Sequence, residues 1–365
     1  MRIGIIGAGQ LGQMLGIAAR DLDIECHFLD PAPAPPAANV GVVITRPFDD
    51  ADALAKLADD CDIVTYEFEN VPVEALLRIA DRVPVYPPPD ALRLAQDRLA
   101  EKKLFDDLRI PSVQYCVVDS LADLERAASS LGLPLVVKTR RLGYDGKGQF
   151  LIQKKNDINE AWKQLGAHAL IAEQWIPFDY EVSVIGVRSA DGYLAIYPLT
   201  HNEHVGGILH RSRAPVDAPR LTELADLYMT RMLNHLNYVG VLTLELFVTG
   251  ECLLANEFAP RVHNSGHWTI EGSATSQFAN HILAISGQQP APYDCRGHAG
   301  MLNLIGAIPD WARRLGNRQC HLHDYGKEAR PGRKLGHITV LADTAARRDR
   351  LLDDIAKTLV DPTTR

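Results

Sequence analysis

Short apolar runs alternate with amphipathic stretches through the first quarter of the chain. Arg2–Ile6 is apolar and ends in Gly7-Ala8-Gly9-Gln10-Leu11-Gly12, after which apolar positions recur at helical spacing as far as Arg20. Further strands are predicted at Ile24–Leu29, Val42–Ile44 and Asp62–Tyr66, with an alanine-rich helix near 50–59. Strand, glycine turn, helix and strand in this order imply a parallel sheet with right-handed crossovers. Pro31–Pro36 reads as a brief rigid loop. Pro84–Pro89 precedes one helix predicted from about Asp90 to Leu108, and the first boundary falls there.

After Pro111 the pattern changes. Strands at Val113–Val118, Leu135–Thr139, Gln149–Gln153 and Ala169–Glu173 enclose helices at Leu121–Leu131 and Asn156–Leu165, a small α+β subdomain over about 112–173. Longer strands follow at Glu181–Val187, Gly240–Val248 and Cys252–Phe258, with a helix at 219–236. Beyond Pro292 the chain is rich in Arg and His, then ends in a strand (His337–Leu341) and a helix. The expected division is 1–95, 96–292 and 293–365. No internal repeat is visible.

Composition narrows the partners. With 365 residues the chain suits two or three lobes, and 46% hydrophobic with 23% charged residues is the balance of a soluble globular protein. No stretch reads as a membrane span or secretory signal. Six scattered cysteines without a C-x-x-C pair point to a reduced cytoplasmic compartment. A net charge of −8 argues against nucleic acid but not against small anionic ligands.

Several segments carry candidate chemistry. The Gly7-x-Gly9-x-x-Gly12 turn, with Asp30 after the next strand, is compatible with a phosphate site, with NAD, or with a tight structural turn. The run Lys138 to Gln149 places a strand-end lysine before Gly143, Tyr144, Asp145, Gly146, Lys147 and Gly148. Such a loop can close over a triphosphate, or be a glycine hairpin with solvated charges. Glu173, Gln174, Trp175 and Ile176 end a strand, and Glu181 begins another; these suit adenine and ribose but are not distinctive alone. Glu245 and Glu257 lie inside apolar strands joined by a turn at Gly250. Antiparallel pairing would set them side by side, as a Mg²⁺ site with Asn256 adding an oxygen, or as glutamates salt-bridged to arginines. Arg261 can clamp an anion and His263 can move a proton. His201-Asn202-Glu203-His204 lacks the histidine spacing of a zinc-protease helix, and Cys320/His323 lack a second ligand pair.

Together these pieces resemble the ATP-grasp superfamily. Within it, Gly9–Gly12, Tyr66–Val71, Gln96-Asp97-Arg98-Leu99, Gly143–Gln149, Asn256–Trp268 and Lys327–His337 resemble the N5-carboxyaminoimidazole ribonucleotide synthases, over nearly the whole chain. Gly7-Ala8-Gly9 stands where that family often has three glycines. The resemblance implies an ATP-grasp fold, α/β and α+β, with an N-terminal Rossmann-like pre-ATP-grasp domain and a small C-terminal domain. It implies ATP at Arg98, Lys138, the 143–149 loop, Glu173–Ile176, Glu181, His204, Asn256 and Glu257, with Mg²⁺ at Glu245 and Glu257. It implies aminoimidazole ribonucleotide at Gln10, Leu11, Glu67, Tyr144, Asp145, Asn264, Ser265, Lys327 and Arg333, bicarbonate near Arg261 and His263, and a homodimer. Phosphoryl transfer to bicarbonate would give carboxyphosphate, shielded from water by the loop while Asp145 orients the attacking amine, and the glycine turn would take the ribonucleotide phosphate. Rival readings are a formate-dependent glycinamide ribonucleotide transformylase, a biotin carboxylase, an NAD-dependent oxidoreductase built on residues 1–100, and an inactive nucleotide-binding module.

Overall fold

The computed structural model describes residues 1–143, 147–315 and 319–360. In the first lobe, β1 (Arg2–Ile6), α1 (Gln10–Arg20), β2 (Glu25–Leu29), β3 (Val42–Ile44), α2 (Ala51–Asp60), β4 (Ile63–Tyr66) and α3 (Val73–Ile79) build a parallel sheet of order β3-β2-β1-β4. All four residues of β4 are buried, as expected of a strand covered on both faces.

The single helix predicted over 90–108 is in fact two, α4 (Pro89–Ala95) and α5 (Arg98–Asp107). The break has a local cause: the Asp97 carboxylate accepts from the Leu99 and Ala100 amides and caps a new helix start. Next, β5 (Tyr115–Val118), α6 (Leu121–Leu131), β6 (Leu135–Thr139), β7 (Gln149–Ile152), α7 (Asp157–Leu165) and β8 (Leu170–Gln174) form the lid subdomain. Its sheet, of order β5-β8-β6-β7, packs one face on its helices.

The remaining strands make one large sheet. They are β9 (Tyr180–Arg188), β10 (Leu194–Ile196), β11 (Thr200–Val205), β12 (Ile208–Ala214), β13 (Gly240–Thr249), β14 (Cys252–Ala259), β15 (His298–Ile305), β16 (Cys320–Asp324) and β17 (Lys334–Ala342). The order is β14-β13-β9-β11-β12-β15-β17-β16, with β10 on β9. Helices α8 (Pro219–His235), α9 (Thr269–Gly272), α10 (Gln277–Ile285) and α11 (Ala345–Val360) complete the chain. Because β12 pairs with β15, the C-terminal strands extend the central sheet.

The first lobe is fastened to this sheet through its core: Ile3, Ile5 and Phe28 share one cluster with Ile185, Phe278 and Ile282. A buried histidine adds polar specificity there. His281 Nδ1 accepts from the Val241 amide at 3.1 Å, so its Nε2–H faces Thr65 Oγ1 at 3.0 Å. Burial pushes its pKa down to about 3 from 6.5. The unfolded chain takes up a proton below pH 6.5 that the folded one refuses, so this contribution to stability is lost as pH falls from 6.5 towards 3. We expect His281→Asn to cost about 2 kcal/mol at neutral pH, with the gap to the parent narrowing as urea unfolding is repeated from pH 6.5 down. A gap that stays constant with pH would show that His281 is not held neutral.

Candidate active site

The β13–β14 hairpin turns at Gly250, whose φ of +58° suits glycine. Glu245 stands opposite Glu257, as the strand pattern predicts, while the next pair is Leu246 with Ala255. Asn256 is therefore an extra residue, a β-bulge that shifts the phase of β14. Leu253 and Ala255 are buried before it and Phe258 after it, so Asn256 and Glu257 both line the cleft. A bulge also leaves a carbonyl outside the ladder. Here the buried Lys102 ammonium donates to Asn256 O at 2.9 Å and Ala255 O at 3.4 Å.

Each carboxylate has a nitrogen partner. Arg98 Nη1 meets Glu257 at 2.9 Å, and His263 Nε2 meets Glu245 at 3.1 Å. Burial opposes the charge on Glu245, but His263, His204 and Arg261 hold its carboxyl near 2. A chain of hydroxyls steadies the His263 ring. Asn202 donates to Ser183 (2.9 Å), Ser183 to Ser265 (2.7 Å), and Ser265 lies 2.9 Å from His263 Nδ1. Ser265, expected at the substrate, is thus wholly buried and serves His263 instead.

In the lid sheet, Val136 opposes Glu173 and Lys138 opposes Ile171, which puts Lys138 and Glu173 diagonally on one face. Their ion pair is 2.6 Å long, and Lys102 lies 3.8 Å from the other carboxylate oxygen. Burial works against ionised Glu173, yet Lys138 and Lys102 hold it at about 2. Glu181 and His204 pair on adjacent strands. Arg140 is clamped to Asp97 at 2.8 Å and Arg141 to Gln96 at 3.0 Å, which anchors the root of the glycine loop. The Thr139 amide donates to Gly148 O at 2.8 Å. Tyr144, Asp145 and Gly146 lie outside the described residues.

Two cavities meet at these carboxylates. The outer, of about 280 Å³, is lined by Lys138, Lys147, Gln149, Glu173, Gln174, Trp175, Ile176 and Asn256, with the stacked rings of Phe178 and Phe247 4.6 Å apart. The inner, of about 250 Å³, is lined by Gln10, Leu11, Gly143, Arg261, His263 and Asn264. Arg98, His204, Glu245 and Glu257 face both. An elongated ligand with an apolar ring and an anionic tail fits across this junction.

The glycine turn departs from expectation. The amides of Gly9 and Gly12 donate to Glu67, and that of Ala8 donates to Asp30 at 2.8 Å. These donors are committed to protein carboxylates at the start of α1 and not to a phosphate. Burial pushes the Glu67 carboxyl up, against the pull of those amides. A Cβ on Gly7 would sit 2.4 Å from Glu67 Cγ, so the turn needs glycine to pack on Glu67. Lys327 donates to Gln10 across the lobes, and burial followed by Arg333 lowers its pKa to about 8. Lys334, not Arg333, lines the inner cavity. Asn264 exchanges two hydrogen bonds with Asn303.

Sequence reasoning missed Lys102, Ser183 and Glu101, whose buried carboxylate accepts from the Phe258 amide at 2.7 Å beside the inner cavity. Lys102 left one readable signal, a charge in the apolar stripe Leu99-Lys102-Phe105 of α5. Neither zinc lure has a metal-site geometry: His201 and His204 lie on β11 and not on a helix, and His323 pairs with Glu271.

Three family models match in succession. One described as a ribonucleotide synthetase preATP-grasp domain covers residues 1–96, an ATP-grasp domain covers 103–278, and a phosphoribosylaminoimidazole carboxylase C-terminal domain covers 299–350. An N5-carboxyaminoimidazole ribonucleotide synthase from Pseudomonas aeruginosa is 48% identical over 354 residues, 97% of this chain and 98% of its own length. The chain belongs to the N5-carboxyaminoimidazole ribonucleotide synthase family. Among solved structures, the Thermus thermophilus synthetase of that name has a TM-score of 0.93 at 47% identity, covering 97% of this chain and 98% of its own. The Aspergillus clavatus synthase in complex with ADP and 5-aminoimidazole ribonucleotide has a TM-score of 0.91 at 32% identity, covering 98% of each chain.

Removing the ammonium from this family member exposes the bulge. Lys102→Met is expected to cost about 3 kcal/mol, because it opens a buried carbonyl and strips one cation from Glu173. Urea unfolding would show a lower midpoint at unchanged slope. A loss under about 1 kcal/mol would mean that water satisfies the carbonyl instead.

Proposed function

We propose that the chain is an ATP-dependent C–N bond-forming ligase of purine biosynthesis. It joins bicarbonate to 5-aminoimidazole ribonucleotide, giving N5-carboxyaminoimidazole ribonucleotide, ADP and phosphate. The observation that carries this reading is the cross-strand Glu245/Glu257 pair at the junction of two cavities, in a chain matched end to end by synthases of that name. The outer cavity takes ATP. Its adenine lies at the Phe178/Phe247 end beside Glu173–Ile176 and Glu181, and its phosphates reach Lys138, Arg98, His204 and the 143–149 loop.

Glu245, Glu257 and the Asn256 amide oxygen form an all-oxygen donor set, the kind Mg²⁺ prefers, and fit the ion together with the nucleotide's phosphates. When bound, Mg²⁺ supplies positive charge to the triphosphate. Arg98 and His263 compensate the two carboxylates without it.

Bicarbonate lies beside Arg261 and His263. Its oxygen attacks the γ-phosphorus, ADP leaves, and carboxyphosphate forms. Lys138 and Arg261 stabilise the charge that builds on the moving group. The loop excludes water while the amine attacks the carboxyl carbon and phosphate departs. The ribonucleotide occupies the inner cavity between Gln10, Leu11 and Asn264, with Glu67 and Lys327 behind Gln10 and Arg333 nearby; Tyr144 and Asp145 are proposed to contact it. A homodimer in the cytoplasm belongs to the same proposal. The NAD reading loses its support, since Glu67 fills the glycine turn.

ADP release should require both bicarbonate and aminoimidazole ribonucleotide for full rate; release indifferent to both would overturn the reaction. Glu257→Gln should abolish ATP turnover while circular dichroism stays unchanged, and retained turnover would remove Glu257 from the metal site. Lys327→Ala should raise KM for aminoimidazole ribonucleotide by about tenfold or more, the loss of a charge-assisted bond, with little change in KM for ATP. Equal shifts would undo that assignment.

A further inference from the structure

Glu69 has no part in the scheme above, yet it holds the group on which bicarbonate binding rests. It follows β4 by three residues, and Gln96 fixes its backbone, donating to Glu69 O at 2.7 Å and Val71 O at 2.8 Å. Its carboxylate pairs with Arg261 Nη2, from a segment 192 residues away. Burial opposes the charge on Glu69, but Arg261 more than offsets it and keeps the carboxyl low. Arg261 Nη1 donates to Val262 O at 2.8 Å, while Nε is buried and has no hydrogen-bond partner among the described residues. The guanidinium is therefore held by its own strand exit on one side and by the first lobe on the other. One N–H on each terminal nitrogen remains for the inner cavity, which both residues line.

We propose that Glu69 is a positioning residue for the bicarbonate step, fixing the plane in which Arg261 presents its free N–H groups to the anion. The proposal rests on the reading of Arg261 as the bicarbonate contact. An arginine side chain has several rotatable bonds, and a small planar anion is recognised only when two N–H groups point at it together. Without Glu69, one of the two anchors is gone, and Glu245 is a neighbouring carboxylate that can draw the guanidinium away from its place. Through this contact the lobe that carries Gln10 and Glu67 also shapes the site of phosphoryl transfer.

Steady-state kinetics with each substrate varied in turn test this. Glu69→Ala should raise KM for bicarbonate about tenfold while KM for ATP stays within about twofold of the parent. Glu69→Gln, which keeps an acceptor oxygen, should recover most of the loss. Glu69→Asp, which withdraws the carboxylate by one methylene, should fall between and serves if the alanine variant does not fold. In an Arg261→Lys background, Glu69→Ala should add nothing further. Additive effects, or equal rises in KM for ATP and bicarbonate, would overturn the positioning role. If Arg261→Lys leaves KM for bicarbonate at the parent value, the assignment of Arg261 and this proposal fall together. If it raises that KM and Glu69→Ala does not, only this proposal falls.

Discussion

Two carboxylates set opposite one another on neighbouring strands repel, and like charges in that register destabilise a sheet. The cleft is arranged around this repulsion. Arg98 from α5 takes Glu257, and His263 from the exit of β14 takes Glu245. Lys102 and Lys138 share Glu173 one layer away. Arg98 and Lys102 come from α5, Lys138 from β6 and His263 from the exit of β14, so these pairings can all be met only when helix, lid and large sheet are packed together. The acidic pair thus demands the tertiary structure around it.

The lobes are joined by polar contacts set in an apolar interface. Ile3, Ile5 and Phe278 share a core, which favours docking without dictating register. Register comes from directional groups: His281 with Thr65, Lys327 with Gln10, and Arg261 with Glu69. Two of those three contacts reach residues of the inner cavity wall. The relative placement of the lobes and the geometry of that wall are therefore one and the same problem for the chain.

Much of this was readable from residue patterns. The short strands of the first lobe, the small α+β subdomain and the opposed glutamates follow from short apolar runs and from glycine placement. Strands β11 and β12 carry little apolar alternation, because Thr200–Val205 and Ile208–Ala214 hold Glu203, Arg211 and Arg213, which pair with one another and with Asp349 and Asp353 of α11, and His204, which faces the cleft. A single helix over 90–108 is too long because Asp97 resembles an ordinary surface acid until its capping bonds are seen. The glycine turn is ambiguous for a related reason. Its spacing declares that amides converge, and spacing cannot say that Glu67, more than fifty residues on, will occupy them. Ser265 and Lys102 show the same limit: their partners lie on elements that only packing brings near.

The bulge at Asn256 ties the hairpin to α5. The partners of Ala255 and Glu257 on β13 are consecutive residues, so the ladder would run unbroken if Asn256 were simply missing. The extra residue serves the cleft and not the sheet, and it brings with it a backbone oxygen that no strand can claim. Lys102 is buried where it is because that oxygen exists. Inserted residue and buried ammonium are thus coupled across two elements: the bulge supplies the oxygen, and Lys102 on α5 answers both it and Glu173.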